Sequence, residues 1–294
     1  MGYNFFLTPK FFIFLYLHLM KALFHFGYRL HTVWLRGVTI LLLTMITAFL
    51  GYVLVWGQIR FWAAVVITNL VRVIPYLGPT LVVWIWAGFS VNNGTLGLFF
   101  MLHFLVPFII LVLITAHLVF LHTTGRTSTL LCHGDYDKIR FFPYYAAKDG
   151  LNLVIWALFF FFALSFPFVL GDAEIFIAAN RIRRPVHIVP EWYFLFAYAI
   201  LRSIPNKIMG VVAFAIRLAS FYFFGLVKNY STPLNVLNKF IVFWFIGVAV
   251  MLTWIGQCRV EAPFIIIGQI FSVLYFLILF IKLFIFIFSS KIFH

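Results

Sequence analysis

His103 and His117 stand fourteen residues apart inside one uninterrupted apolar run. At 3.6 residues per turn this is nearly four turns, so both imidazoles leave one face of one helix, about 21 Å apart along its axis. A ring nitrogen buried in hydrocarbon costs roughly 2–7 kcal/mol on apolar reference scales unless it finds a partner. Metal or haem sites stacked at two depths would give each ring one. Histidines that hydrogen-bond neighbouring helices, or that line an ion or proton path in a channel or transporter, are the other reading of the same spacing.

The elements that must position these rings follow from composition. Hydrophobic residues make up 65% of the 294 and charged residues 10%, with a mean hydropathy of +1.11. A water-soluble core cannot hold that much apolar surface. Apolar runs near twenty residues without strict alternation predict an all-α, polytopic transmembrane helical bundle and exclude a barrel. Seven spans are expected, over Phe5–Phe26, Val33–Trp56, Leu96–His122, Leu151–Leu170, Ile208–Val227, Phe240–Gly256 and Phe264–Phe288. The long connections Gly57–Thr95 and Gly171–Lys207 carry aromatic stretches broken by Pro75 and Pro205, which predicts short interfacial helices. Alternating direction places both connections on the same side.

That topology pairs the histidines. The first and third spans are parallel, so His18, late in the first, and His117, late in the third, share a depth and form an axial pair for one flat macrocycle. His25 lies beside Gly27-Tyr28-Arg29 and is expected at the interface. The partner of His103 should stand fourteen residues before His18, which is Asn4, a poor haem ligand. The upper site then has an unusual ligand, or takes a histidine from another polypeptide, or this chain is part of a longer product.

A net charge of +14, from 21 Lys+Arg against 7 Asp+Glu, is dispersed among spans and loops without a basic amphipathic face. Anionic lipid head groups or acidic partner proteins are the expected counterparts, and no nucleic acid. Cys132 and Cys258 are too few for a disulfide scaffold, and neither lies in a Cys-x-x-Cys-His attachment motif. Any haem would be held without a covalent bond.

Several stretches carry a resemblance. They are FFIFLYLH (Phe11–His18), WGQIRFWAAVVITNL (Trp56–Leu70), IPYLG (Ile74–Gly78), WIWAGFS (Trp84–Ser90), HFLVPFII (His103–Ile110), HLVFLHTTG (His117–Gly125), FPYYAAKD (Phe142–Asp149), PEWYFLFAYAILRSIPNK (Pro190–Lys207), LTWIG (Leu252–Gly256) and IGQIFSVLYFL (Ile267–Leu277). Together, and in this order, they make the chain similar to the cytochrome b family of the respiratory quinol:cytochrome c reductase, complex III. The resemblance covers seven of the family's eight spans, and the first family helix and one ligand histidine have no counterpart.

The resemblance implies two non-covalent haem b groups: a high-potential one on His18 and His117, and a low-potential one on His103 plus a further ligand, expected in trans from a separate N-terminal cytochrome b fragment, with an incomplete sequence as the alternative. It implies ubiquinol oxidation at an outer site and ubiquinone reduction at an inner site, with proton translocation. The implied partners are the Rieske iron–sulfur protein, cytochrome c1 and other complex III subunits, in a homodimeric complex of the mitochondrial inner membrane. Residues 1–227 would form the haem and quinone bundle, and residues 228–294 the C-terminal helices.

For the outer site the strongest candidate is Glu191, because a carboxylate in an apolar wall resists ionisation and can take and deliver a proton. As an acidic residue before a helix it could instead serve only to start that helix. Tyr52 and Tyr193 would hydrogen-bond near the quinone ring, and Trp56 and Trp62 would pack and anchor. The family has Gly where this chain has Ala63, beside the outer pocket. For the inner site the candidates are His122, Lys148 and Asp149, with the lysine stabilising negative charge and the aspartate relaying protons. Lys21, one turn from His18, would meet the haem propionates, and Gly37 and Gly51, fourteen apart, would let a macrocycle pass close to the second span. His31, His133, His187 and His294 are expected as ordinary loop or terminal residues, with His187 facing the iron–sulfur partner. Two other readings stand beside this one: a plastid relative, although that group divides the protein between two chains, and a structural or transporter-like bundle retaining one haem.

Overall fold

The structure is a computed structural model that describes residues 4–125, 139–166, 176–185, 187–226 and 236–292. Cys132, His133 and His294 lie outside the described residues. Among the described residues ten α-helices follow in order: α1 (Asn4–Phe24), α2 (His31–Leu54), α3 (Gln58–Thr68), α4 (Gly78–Trp86), α5 (Asn93–Thr124), α6 (Tyr144–Ser165), α7 (Trp192–Ser203), α8 (Lys207–Leu226), α9 (Val236–Gln257) and α10 (Phe264–Ile292). Each expected span coincides with one of them to within a few residues at most ends. Among the described residues six, α2, α5, α6, α8, α9 and α10, are long and apolar enough to cross a membrane. The remaining expected span coincides with α1, 21 residues long, part of whose N-terminal half has side chains outside the described residues.

Local chemistry sets the ends of α5. The Asn92 side chain accepts from the Gly94 amide at 2.7 Å, the Thr95 hydroxyl accepts from the Asn92 amide at 3.0 Å, and that hydroxyl donates to the Trp86 carbonyl at 2.8 Å. Such caps satisfy amides that the first helical turn leaves unpaired. The helix runs 32 residues to Gly125 at φ 72°, about 48 Å, so a bilayer core of about 30 Å encloses both histidines.

The two long connections fold as short helices, α3 and α4 in the first and α7 in the second, and they meet as the topology requires. Gly57 bridges Ala178, and the Gln58 amide donates to Ile177 O at 2.9 Å. The Gln58 side chain accepts from the Asn180 amide at 2.6 Å and donates to the Arg183 carbonyl. Trp62 Nε1 donates to the carbonyls of Asn180 and Arg183 at 3.2 and 3.1 Å, the anchoring part expected of it.

The largest buried cluster joins the end of α1 to the C-terminal helices. It contains Leu23, Phe26 and Tyr28 with Trp34, Ile200, Phe224, Leu252 and Tyr275. Two polar side chains reach into it to close α1: Lys282 Nζ donates to Leu23 O and Asn238 Nδ2 to Phe24 O, each at 3.2 Å. Carbonyls at a helix end have no intrahelical donor, and hydrocarbon offers none. The end of α1 that carries His18, Lys21 and His25 is thereby fastened by α9 and α10.

At Gly256 the backbones of α9 and α7 nearly touch, because a Cβ there would overlap the Leu195 carbonyl oxygen and lie 2.8 Å from its carbon. Gly247, on the same helix, has nothing within 4 Å of its place for a Cβ. Gly256→Ala is therefore expected to cost about 1–3 kcal/mol and to lower the thermal midpoint of the detergent-solubilised protein. Gly247→Ala should leave it within error.

Candidate functional site

Helices α2 and α5 pack along the most extensive helix–helix contact among the described residues, and both long-helix histidines lie in it. Being antiparallel, α2 presents Gly37 to His117 and Gly51 to His103. A Cβ at Gly37 would stand 3.2 Å from His117 Cε1; one at Gly51 would overlap His103 Cε1 and lie 2.9 Å from Nε2. The His103 ring is also held at Nδ1, 2.9 Å from Thr47 O. The glycine spacing noted in the sequence thus meets the histidine spacing at both depths.

Across from His117 stands His18 of α1, with ring centroids 6.4 Å apart and planes inclined by 64°. Both line a cavity of about 440 Å³ between α1, α2 and α5, together with Lys21, His25 and Gly37. The described residues contain no group of three or more His, Cys, Asp or Glu able to hold a metal ion. Two opposed imidazoles in a hydrophobic slot, with a cation in the wall, fit axial ligation of a haem and do not fit a three- or four-ligand ion site. His25, expected at the interface, belongs to the wall of this cavity, its ring 5.1 Å from that of Phe24. The signal was its spacing of seven residues from His18, two turns along one face. Around His103 the described side chains bring no second imidazole; Asn4 is helical, and its side chain lies outside the described residues.

On the side of the long connections a second cavity, of about 460 Å³, opens between α2, α3, α7 and α8. Its walls include Phe49, Ala63, Ile67, Pro190, Phe194 and Tyr198. Glu191 follows Pro190 at the N-cap position of α7, where its side chain makes no capping bond. Burial pushes its carboxyl above the usual carboxylate range, and the Arg60 guanidinium opposes that shift. Arg60, buried on α3, lies over the Tyr52 ring at 4.9 Å, and desolvation lowers its own value while Tyr52, Glu191 and Tyr193 raise it. Tyr193 is fully packed, stacked on Phe12 at 4.1 Å and 6°, with its phenol pushed up by burial. Arg60 and Tyr193, buried, and Tyr52 and Glu191, half-buried, form one polar group beside the pocket, while Tyr198 is the phenol in the pocket wall. Arg60 was missed in the sequence because a basic residue on an interfacial helix reads as a head-group anchor.

The inner-site candidates are on the opposite side and are exposed: His122 near the end of α5, Lys148 and Asp149 in the first turns of α6. The lysine ammonium lies 5.8 Å from the Tyr145 ring centre, and no hydrogen bond or ion pair joins the three to one another. Of the other histidines, His31 opens α2 with its ring against the Gly225 carbonyl, and His187 meets Gln257 O at 3.0 Å. Cys258 is a free thiol.

Known proteins align with this arrangement. Residues 4–125 match the family described as cytochrome b/b6/petB, and residues 178–276 match cytochrome b(C-terminal)/b6/petD. Cytochrome b of Caenorhabditis elegans is 59% identical over 283 residues, covering 96% of this chain and 76% of that protein. Cytochrome b of Apis mellifera ligustica is 44% identical over 275 residues, covering 92% and 72%. Among solved structures, a chain of a hyperthermophilic respiratory complex III superposes with a TM-score of 0.88 at 28% identity, covering 96% of this chain and 77% of that one. Two opposed histidines between glycine-bearing helices, a pocket under a Pro-Glu-Trp-Tyr turn, and these alignments across both halves make the chain a member of the cytochrome b family.

Proposed function

We propose that this electron-transfer subunit of a quinol:cytochrome c oxidoreductase oxidises quinol in the pocket between α2, α3, α7 and α8 and reduces quinone at the opposite face. The observation that carries the reading is His18 facing His117 across a cavity that Gly37 keeps open. His18 and His117 would hold one b haem, with Lys21 toward its propionates, and His103 beside Gly51 would ligate the other. When bound, the haems supply single-electron transfer between the two faces of the membrane. The eukaryotic relatives point to the mitochondrion, and we assign the chain to its inner membrane with the Rieske protein and cytochrome c1 as partners.

Glu191 is the proton acceptor for the outer pocket. Its carboxyl, held up by burial, keeps a proton to higher pH than a surface glutamate and takes up the accepting form as pH rises through that raised value. Arg60 limits the rise, so burial and the neighbouring cation act on this proton in opposite directions. On the opposite face Lys148 stabilises negative charge developing on quinone oxygens, and His122 and Asp149 carry protons to them.

Glu191→Gln, which keeps volume but removes the proton site, is expected to retain the haem spectrum, slow quinol oxidation at least tenfold, and flatten the rise of rate with pH on the acid side. Stopped-flow reduction of haem across pH measures this, and an unchanged profile would remove Glu191 from proton transfer.

The glycine contacts separate the two haem positions. Gly51→Ala forces a methyl into His103, so reduced-minus-oxidised spectra should lose or shift one b component. Gly37→Ala, with a looser 3.2 Å contact, should only perturb the other. Equal effects from both variants would contradict the assignment.

Ala63 is 3% exposed and lines the outer pocket, so its methyl narrows the space for a rigid ligand. Ala63→Gly is expected to tighten methoxyacrylate-type inhibitors about five- to a hundredfold, the equivalent of relieving about 1–3 kcal/mol of overpacking. Turnover with flexible quinol should change little, and unchanged inhibitor titrations would refute the steric account.

A further inference from the structure

Arg217 stands at the middle of α8, about 15 Å of helix from Lys207 and about 14 Å from Leu226. Its side chain is 2% exposed, and its guanidinium lies over the Phe196 ring at 3.8 Å. Nε and Nη1 are buried without a hydrogen-bond partner, and the buried Tyr275 hydroxyl is the polar side-chain group against the guanidinium. Of the chain's 7 acidic residues, none lies on α1, α2, α7, α8, α9 or α10. A cation at that depth is costly unless an acceptor reaches it.

Arg217 lines a third cavity, of about 260 Å³, with Tyr16, Trp192, Tyr193, Phe196 and Phe245. The wall formed by Ile13, Leu17 and Val250 is exposed, so the cavity opens toward hydrocarbon between α1 and α9. It shares no lining residue with the 460 Å³ pocket, although its Tyr193 also belongs to the polar group beside that pocket, and Leu19 and Leu41 form a wall common to it and the histidine cavity.

We propose that this cavity binds the headgroup of a membrane quinone at a position additional to the two reaction sites. The proposal takes from the functional reading only that quinone is the molecule this protein handles. Depth selects the ligand: phospholipid head groups stay at the water interface, whereas an uncharged quinone ring resides in hydrocarbon. Chemistry agrees, since quinone carbonyls only accept hydrogen bonds and a guanidinium only donates them. The flat ring fits between aromatic walls, and its isoprenoid tail leaves through the opening between α1 and α9.

The test labels the assembled complex with an azido-quinone while saturating inhibitors close the outer and inner sites, and then maps the modified peptides. Label is expected on segments Ile13–Met20 or Ile246–Thr253. Arg217→Leu should lower it about tenfold, the equivalent of 1.4 kcal/mol, and Arg217→Lys should retain part of it. Ala249→Phe fills the cavity from α9, leaves Arg217 in place, and should abolish labelling, which keeps the test open if Arg217→Leu fails to assemble. Absence of label in these segments, with normal quinol-to-cytochrome c turnover in the uninhibited wild type, overturns the additional position and leaves the two-site reading standing. Competition by palmitate but not by decylbenzoquinone assigns the cation to a carboxylate lipid and also overturns it, as does protection of both segments by another polypeptide.

Discussion

Two glycines on α2 face two imidazoles on α5, and the placement of everything else in the bundle is tied to that contact. A polar nitrogen within hydrocarbon must be met by something, and a helix bearing a side chain at residue 37 or 51 would take up the space in which the rings sit. The close approach fixes the depth and rotation of α5 relative to α2. Once α5 is fixed, His117 can face only the helix that runs parallel to it, which brings His18 to 6.4 Å between ring centres. The end of α1 must then be held still, and Lys282 and Asn238 do so by closing its last carbonyls from α10 and α9. The C-terminal helices contribute to the histidine cavity through this fastening, without lining it.

The same economy of polar groups organises the outer pocket. Its walls are apolar, and the ionisable residues are gathered at one edge, where Glu191, Arg60, Tyr52 and Tyr193 act on one another. A carboxyl alone in hydrocarbon would remain protonated, and one paired tightly with arginine would remain ionised. Burial and Arg60 pull Glu191 in opposite directions. The bridge between Gly57 and Ala178, with Gln58 bonded to the second connection, holds the two walls of this edge together.

Much of this was legible in the sequence because hydrocarbon restricts what a chain can do. The helix limits followed from run length, the short helices of the long connections from breakers such as Pro75 and Pro205, and the pairing of His18 with His117 from counting crossings. What was not legible depended on contacts between distant residues. Arg60 is unremarkable until α3 packs beneath Tyr52 and Glu191, and Lys282 and Arg217 read as misplaced charges until their surroundings are seen. His25 was assigned to the interface from its neighbours in sequence, whereas the turn after α1 folds back and leaves it in the cavity wall.

The central claim is that one chain positions two haems at two depths, and a redox titration of the visible α-band in the assembled complex tests it most directly. The account predicts two b-type components of equal amplitude, titrating at separate potentials, with two non-covalent haems per copy of this chain. A single component, with one haem per chain, would contradict it.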